Sequence, residues 1–304
     1  MEAFARYIMR GRLQAISISA AATVLSLVLP PLNYISSAVI ALVTLRRGWN
    51  DGLLVMTATA AALGAVMAIS KGDPLPAMVL AGVIWVPVWL LSLVLRRTMS
   101  LSGTVSVAAL MGGATVIGVY LALDDPAQTW RDLLGHFIDE LRRESDTSAA
   151  DTLSQVLAHA APHMTGMAVG ALMLGLIMSV FLGRWWQALL YNPGGFQREF
   201  HGLRLSRTFA IGTLLVGVLS AMGSESTAEV AANVLTVFAT AYLLHGLGLL
   251  HGVVAARHIK VGWLIAVYAL TLLWPPSTLL LGAAGFVDSW MDVRVRLAKG
   301  GESG

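Results

Sequence analysis

Ten strongly apolar segments fill most of the 304-residue chain, and they restrict its fold more than any other feature. A backbone inside lipid has to satisfy its own N–H and C=O groups, so segments of this kind cross a membrane as α-helices. Only 12% of the residues are charged, about half the ~25% that is usual in soluble domains. The sequence therefore predicts an all-α fold: a polytopic transmembrane helical bundle of about eight to ten membrane segments, forming a single integral membrane domain over residues 1–304. The segments are Leu13–Leu29, Leu32–Leu45, Leu53–Ile69, Leu75–Leu95, Gly103–Leu123, Met164–Leu182, Phe209–Met222, Ala231–Ala255, Val261–Trp274 and Ser277–Trp290.

Two proline pairs predict tight hairpins, one near each end of the chain. Pro30-Pro31 separates the first two segments, and Pro275-Pro276 separates the last two. Proline lacks a backbone N–H and clashes with the preceding turn, so a helix rarely continues through such a pair. The last two pieces reach only about 21 Å each, short of the ~30 Å hydrocarbon core. The matching pairs either mark a weak internal repeat or are simply good turns.

The charged residues predict the orientation. With a cytoplasmic N-terminus, most of the 20 Lys and Arg residues fall in cytoplasmic loops, and most of the 17 acidic residues fall outside. The positive-inside rule then places both termini in the cytoplasm, and the expected location is a bacterial inner (plasma) membrane. The basic balance is thus explained by orientation in membrane lipids, and we expect no nucleic-acid partner.

One sizeable segment, Asp124–His163, is predicted to lie outside. Asp125-Pro126 is a typical helix start, and Ser148-x-x-Asp151 indicates a second one. The first helix has a regular apolar stripe, formed by Trp130, Leu133, Leu134, Phe137, Ile138 and Leu141. Residues 124–163 are therefore expected to form an extracytoplasmic amphipathic helical insertion. It is either a lid over an outward cavity, with Trp130 contacting a ligand, or a packed connector between two halves of the bundle.

The longest cytoplasmic connection is expected to be a basic loop over residues 183–207. It contains Arg198, Arg204 and Arg207, and Trp185, Trp186 and Tyr191 are typical of an interfacial aromatic belt. Such a loop binds anionic headgroups or a cytoplasmic partner, or it only anchors the chain.

Chemically active motifs are scarce. The chain has no cysteine, and its sequence contains no H-E-x-x-H, G-x-S-x-G or P-loop motif, so we expect no enzyme, no cofactor and no metal site. His245 and His251 are the deep ionisable side chains, and six residues separate them, which puts them about 120° apart on a helix. Two interpretations stand: a hydrogen bond across a helix contact at small residues, or contact with a bound ligand.

Short motifs at both ends of the chain carry a family resemblance. They are Met9-Arg10-Gly11-Arg12, the segment ALVTLRRG at 41–48, and the segment GFVDSWMDVR at 285–294. With them the chain resembles the YybS-like predicted membrane proteins, a family of unknown function. That family is similar to the S components of energy-coupling-factor transporters, which hold a small molecule and dock on a separate transmembrane coupling protein with ATPases. The resemblance implies a small-molecule binding or transport component.

The last segment also suggests a structural clamp. A buried Asp288 would need a partner, and Arg46, Arg47 and Arg294 are the candidates, which would tie the terminal hairpins together. Two hypotheses for function follow. One is a binding or transport component for an unknown small molecule, and the other is a non-transporting membrane scaffold or regulator that acts through a protein partner.

Overall fold

The computed structural model describes residues 1–144, 147–257 and 259–293, and over these ranges the chain forms thirteen helices and no strand. The helices are α1 Glu2–Ile8, α2 Arg12–Leu25, α3 Leu32–Arg47, α4 Trp49–Lys71, α5 Leu75–Thr98, α6 Leu101–Ala122, α7 Pro126–Glu144, α8 Thr147–Tyr191, α9 Gly195–His201, α10 Arg207–Met222, α11 Glu225–Ala256, α12 Gly262–Leu273 and α13 Ser277–Met291. Each of the ten apolar segments corresponds to one of these helices, although the predicted Leu13–Leu29 extends four residues beyond the end of α2 at Leu25. The predicted all-α fold is confirmed.

The spans fall into two length classes. Five helices in the described part of the chain are long and apolar enough to cross a membrane alone: α4, α5, α6, α8 and α11. The other five apolar segments form α2, α3, α10, α12 and α13, which have 12 to 16 residues. At 1.5 Å per residue these reach about 18–24 Å, less than the thickness of the hydrocarbon core.

The bundle consists of two packed groups that share α8. In the first group α2, α4, α5 and α8 surround α3, whose residues Ser36–Leu45 are all buried. In the second group α6, α8, α10 and α13 surround α11. One apolar cluster lies within the first group, and the other fills the second group and extends to Ala41 and Leu45 of α3 and to Val88 of α5. The helix α8 therefore carries contacts from both halves of the chain.

The length of α8 corrects two expectations. The second external helix and the sixth apolar segment form one helix of 45 residues, which continues through Pro162. At its other end α8 runs on to Tyr191, and α9 follows, so residues 183–207 are largely helical rather than a loop. Trp186 does not lie in an aromatic belt, because it is fully buried with its ring 5.5 Å from that of Phe4.

The two proline pairs make nearly identical turns. Pro31 has φ −60° and ψ −21° before α3, and Pro276 has φ −58° and ψ −18° before α13. In both places the second proline is the N-cap of the returning helix. At the first pair α2 packs along α3, whereas at the second pair α12 and α13 touch little beyond the turn and α12 has no buried residue.

Polar contacts join residues that were predicted to lie on the same side of the membrane. Contacts at the predicted cytoplasmic end are Arg12–Asp51, Arg47–Met9 O, Arg96–Leu45 O, Arg184–Glu199 and Arg207–Trp290 O. Contacts at the predicted outer end are Tyr120–Glu229, Trp130–Thr165 and Arg142–Asp151. The helices thus have the relative directions that the charge pattern requires.

Candidate functional site

The first candidate residue, His245, lies where α11 and α13 cross at two glycines. A Cβ at Gly285 would lie 2.6 Å from the Tyr242 carbonyl oxygen, and one at Gly246 would collide with the Leu281 carbonyl. This close approach places His245 against Asp288, and both side chains are fully buried. The atoms His245 Nε2 and Asp288 Oδ2 are 3.0 Å apart. This contact matches the first of the two interpretations of His245, a hydrogen bond across a helix contact at small residues.

The proton on His245 can be assigned from its surroundings. The backbone N–H of Leu205 points at His245 Nδ1 over 3.5 Å, so Nδ1 accepts and Nε2 donates to the carboxylate. The other oxygen of Asp288 accepts from the backbone N–H of Val293 at 2.8 Å. The carboxylate thereby holds the end of α13 to α11.

Arg204 completes this cluster at the end that is predicted to be cytoplasmic. It pairs with Asp292 and donates to the carbonyl oxygens of Asp288 at 3.2 Å and Ser289 at 3.3 Å. The last carbonyls of a helix have no partner within the helix, and here a guanidinium satisfies them.

Two of the three predicted arginine partners of Asp288, Arg46 and Arg47, lie elsewhere. Arg46 stacks on the Tyr191 ring, 4.0 Å from its centroid, and Arg47 donates to the Met9 carbonyl at 2.7 Å. The close crossing of α11 and α13 brings His245 to Asp288 instead, so the clamp does not join the two terminal hairpins through these arginines. Arg294, the third proposed partner, lies outside the described residues.

Trp130 is part of a packed helical hairpin. The helix α7 lies along the first half of α8, and the two share a small apolar core of Ala127, Ile138, Ala150, Leu157 and Ala161. Trp130 Nε1 donates to the hydroxyl of the buried Thr165 at 2.9 Å. The outer insertion thus packs on α8 as a connector would, with its tryptophan hydrogen-bonded to the bundle.

Asn233 joins α11 to the middle of α8. Its side chain is fully buried, and its Nδ2 donates to the Pro162 carbonyl at 2.7 Å. Its Oδ1 accepts from the Gly166 N–H at 2.6 Å. Pro162 O and Gly166 N are the two groups of one helical turn, so the carboxamide bridges the turn of α8 that follows the proline. Asn233 also donates to Tyr120 Oη at 3.0 Å, and this hydroxyl in turn donates to Glu229 at 2.8 Å.

His251 lies at the mouth of an aromatic cavity. Its Nε2 is 2.9 Å from Tyr268 Oη on α12, and the rings of Phe200 and His201 lie 5.5 and 5.9 Å away. The cavity beside this group, called the aromatic cavity below, has a volume of about 470 Å³ and lies between α8, α9, α11 and α12. Its walls are Leu174, Met178, Phe181, Leu182, Trp185, Phe196, Phe200, Leu243, Leu244, Leu247 and Tyr268.

The two ends of the aromatic cavity differ. Trp185, Phe196 and Phe200 line the end near the C-terminus of α8, which is predicted to be cytoplasmic, and Leu174 and Leu243 line the other end. Phe181, Phe196 and Phe200 contact one another with ring centroids 5.8 to 6.1 Å apart. One end is therefore aromatic with a polar histidine–tyrosine pair, and the other is aliphatic.

A larger groove lies between α5, α6 and α8. Its volume is about 540 Å³, and its lining is aliphatic apart from Pro87 and Thr115. Among the described residues, no group of three or more His, Asp or Glu side chains is placed to hold a metal ion. The aromatic cavity differs from the groove in having polar groups concentrated at one end.

Comparisons with known proteins give one family. A family model described as "Predicted membrane protein (DUF2232)" matches residues 17–289, which is most of the chain. No curated protein and no solved structure matches the chain.

Three of the site residues were not found by sequence reasoning. Asn233 and Tyr268 are polar residues within apolar helices that also carry other polar residues, and Arg204 was only one of several loop cations. Pro162 was the one local signal, because a proline inside a helix leaves backbone groups for a neighbour to satisfy.

Proposed function

We propose, given that the chain belongs to the DUF2232 family of predicted membrane proteins, that it is a bacterial inner-membrane component that binds and helps to move an amphiphilic small molecule. Its termini are cytoplasmic in this proposal, and no catalytic step is assigned to it. The ligand would reach the protein from the bilayer as well as from water.

The observation that carries the proposal is the two-ended aromatic cavity. Small-molecule sites are typically cavities of about 300–1,000 Å³ with apolar walls and a few polar groups. At about 470 Å³ the cavity is within this range, and His251 and Tyr268 supply the polar groups. An amphiphile would place its polar part at this pair and its apolar part against the leucines.

Transport would need a partner. The sequence has no P-loop, so the energy for any vectorial step would come from a separate transmembrane coupling protein with ATPases. Binding by itself requires no such partner, and it can be tested on the isolated chain.

Native mass spectrometry of the protein, gently extracted from its own membrane, tests the proposal. Leu247→Trp would fill the aromatic cavity, since Leu247 lines it and is only partly exposed. Leu215→Trp is the matched control, because Leu215 is 62% exposed on α10 and lines neither described site. We expect a stoichiometric small molecule on the wild type and on Leu215→Trp, and none on Leu247→Trp.

Equal occupancy in all three proteins would refute the assignment to this cavity. A bare chain that carries only a protein partner would favour the scaffold or regulator hypothesis instead. The connector-like packing of α7 on α8 is the feature that such a hypothesis would start from.

A further inference from the structure

We propose that the ligand of the aromatic cavity is an isoprenoid quinone, a neutral ring with carbonyl acceptors and a long apolar tail. This inference rests on the proposed function, and it names the chemical class of ligand for the same site.

The depth of the polar pair is the first argument. His251 lies five residues before the end of α11, and Tyr268 lies six residues after the start of α12. At 1.5 Å per residue both are about 8–9 Å inside the cytoplasmic helix ends. A phosphate headgroup stays at the membrane surface with water and cations, whereas a neutral ring is stable below that level.

The chemistry of the pair is the second argument. The groups at the cavity mouth are a phenol and imidazoles, and no Lys or Arg is among the residues that line the cavity. If His251 Nε2 donates to Tyr268 Oη, the tyrosine O–H is free to donate onward. Tyr268 is 46% exposed, so its hydroxyl can reach a carbonyl oxygen of the ligand. A donor without charge matches a quinone carbonyl better than a phosphate.

The shape of the walls is the third argument. Phe196, Phe200 and Trp185 present rings at the same end as the polar pair, and aromatic rings favour stacked or edge-to-face contacts. Leu174, Leu243 and Leu247 continue the cavity toward the membrane centre. The order of donor, aromatic wall and aliphatic wall is the order of carbonyl, ring and prenyl tail in a quinone.

The arrangement of α12 also leaves a route by which a ligand can enter the aromatic cavity from the bilayer. The helix α12 has no buried residue, and His251–Tyr268 is a hydrogen bond that ties its middle to α11. A tail longer than the cavity can therefore leave sideways into lipid past α12.

The test measures binding of a short-tailed alkyl benzoquinone to the full-length protein in nanodiscs. The cysteine-free chain cannot form thiol adducts with the quinone, and a mass shift that disappears on denaturation excludes amine adducts. We expect saturable binding, seen as a rise in melting temperature and as a mass shift. The comparison ligands are an alkyl alcohol with the same tail and phosphatidylglycerol.

Two variants locate the binding. Tyr268→Phe keeps the ring and removes one hydrogen bond, so quinone affinity should fall about three- to tenfold. Tyr34→Phe, on an exposed tyrosine outside the cavity, should leave it unchanged. If Tyr268→Phe cannot be purified, His251→Asn serves instead: it removes the imidazole that orients the Tyr268 hydroxyl, so quinone affinity should fall as well, and an unchanged affinity would count against the quinone inference.

The outcomes separate the two proposals. If the cavity holds phosphatidylglycerol or the alcohol and the quinone does not compete, the quinone inference is wrong while the proposed function stands. If Leu247→Trp retains every amphiphile that the wild type binds, both are wrong. Quinone binding that Leu247→Trp abolishes and Tyr268→Phe weakens supports both.

Discussion

Replacing Asn233 by leucine removes the side chain that bridges α8, and its cost can be estimated from the contacts. Asn233 makes three interhelical hydrogen bonds, to the Pro162 carbonyl, the Gly166 N–H and Tyr120 Oη. Interhelical hydrogen bonds in membrane proteins average about 0.6 kcal/mol each. Asn233→Leu should therefore lower the free energy of unfolding by about 2 kcal/mol.

The assay is reversible unfolding in mixed micelles, followed by circular dichroism. Thr236→Val is the matched control, because Thr236 lies on the same helix and bonds only to the Ala232 carbonyl of its own helix. Its effect should stay within about 0.5 kcal/mol, as for a substitution that breaks no interhelical contact.

A double-mutant cycle tests the reason for the cost. A Cβ at Gly166 would lie 2.5 Å from the Asn233 carbonyl oxygen, so Gly166→Ala should separate α8 from α11 and break the same bonds. The double variant should then lose less than the sum of the two single losses. Strict additivity, or an Asn233→Leu cost no larger than that of Thr236→Val, would refute the reasoning.

Three further predictions concern folding and orientation. Gly246→Ala should abolish the folded monomer in size-exclusion chromatography. Gly118→Ala is the control and should be neutral, since no neighbouring atom lies within 4 Å of a Cβ at that position. Equal yields of the two variants would argue against the close crossing of α11 and α13. Asp288→Asn should lower folded yield in detergent because His245 loses its carboxylate partner, and an unchanged yield and melting temperature would count against the clamp. The natural chain has no cysteine. A cysteine introduced at His136 should react with an impermeant thiol reagent added to intact cells, whereas one introduced at Arg198 should react only in inverted membrane vesicles. The reverse pattern would show that the chain has the opposite orientation.

The fold could be predicted from the sequence because its determinants are local. Each apolar segment specifies a helix by itself, since lipid offers no other partner for the backbone. Pro30-Pro31 and Pro275-Pro276 specify their own turns. Asp125-Pro126 likewise placed the start of α7 at Pro126, where the structure has it.

The continuation of α8 through Pro162 was not predicted, because a proline disfavours a continuous helix. Asn233, 71 residues further along the chain, lies against the turn that follows the proline, and no local pattern predicts that contact. The partner of Asp288 was missed for a similar reason. Its position on one helix face was readable from spacing, but the choice of His245 depends on where α11 and α13 cross.

The aromatic cavity was only partly predictable. His251 was identified because a deep histidine is rare in an apolar segment. Tyr268 and Phe200 carry no such signal, since aromatic residues are common at membrane interfaces. These residues form a cavity only because four helices pack together, and the sequence of a single segment does not predict that packing.

The 45-residue helix α8 has a mechanical consequence. At 1.5 Å per residue it is a rod about 67 Å long, more than twice the thickness of the hydrocarbon core. One end carries the outer hairpin, and the other carries the Tyr191 ring on which Arg46 is stacked. In the predicted orientation, one continuous helix therefore joins a contact outside the membrane to a contact in the cytoplasm. We predict that tilting α8 at its outer hairpin shifts the Arg46–Tyr191 contact at its other end.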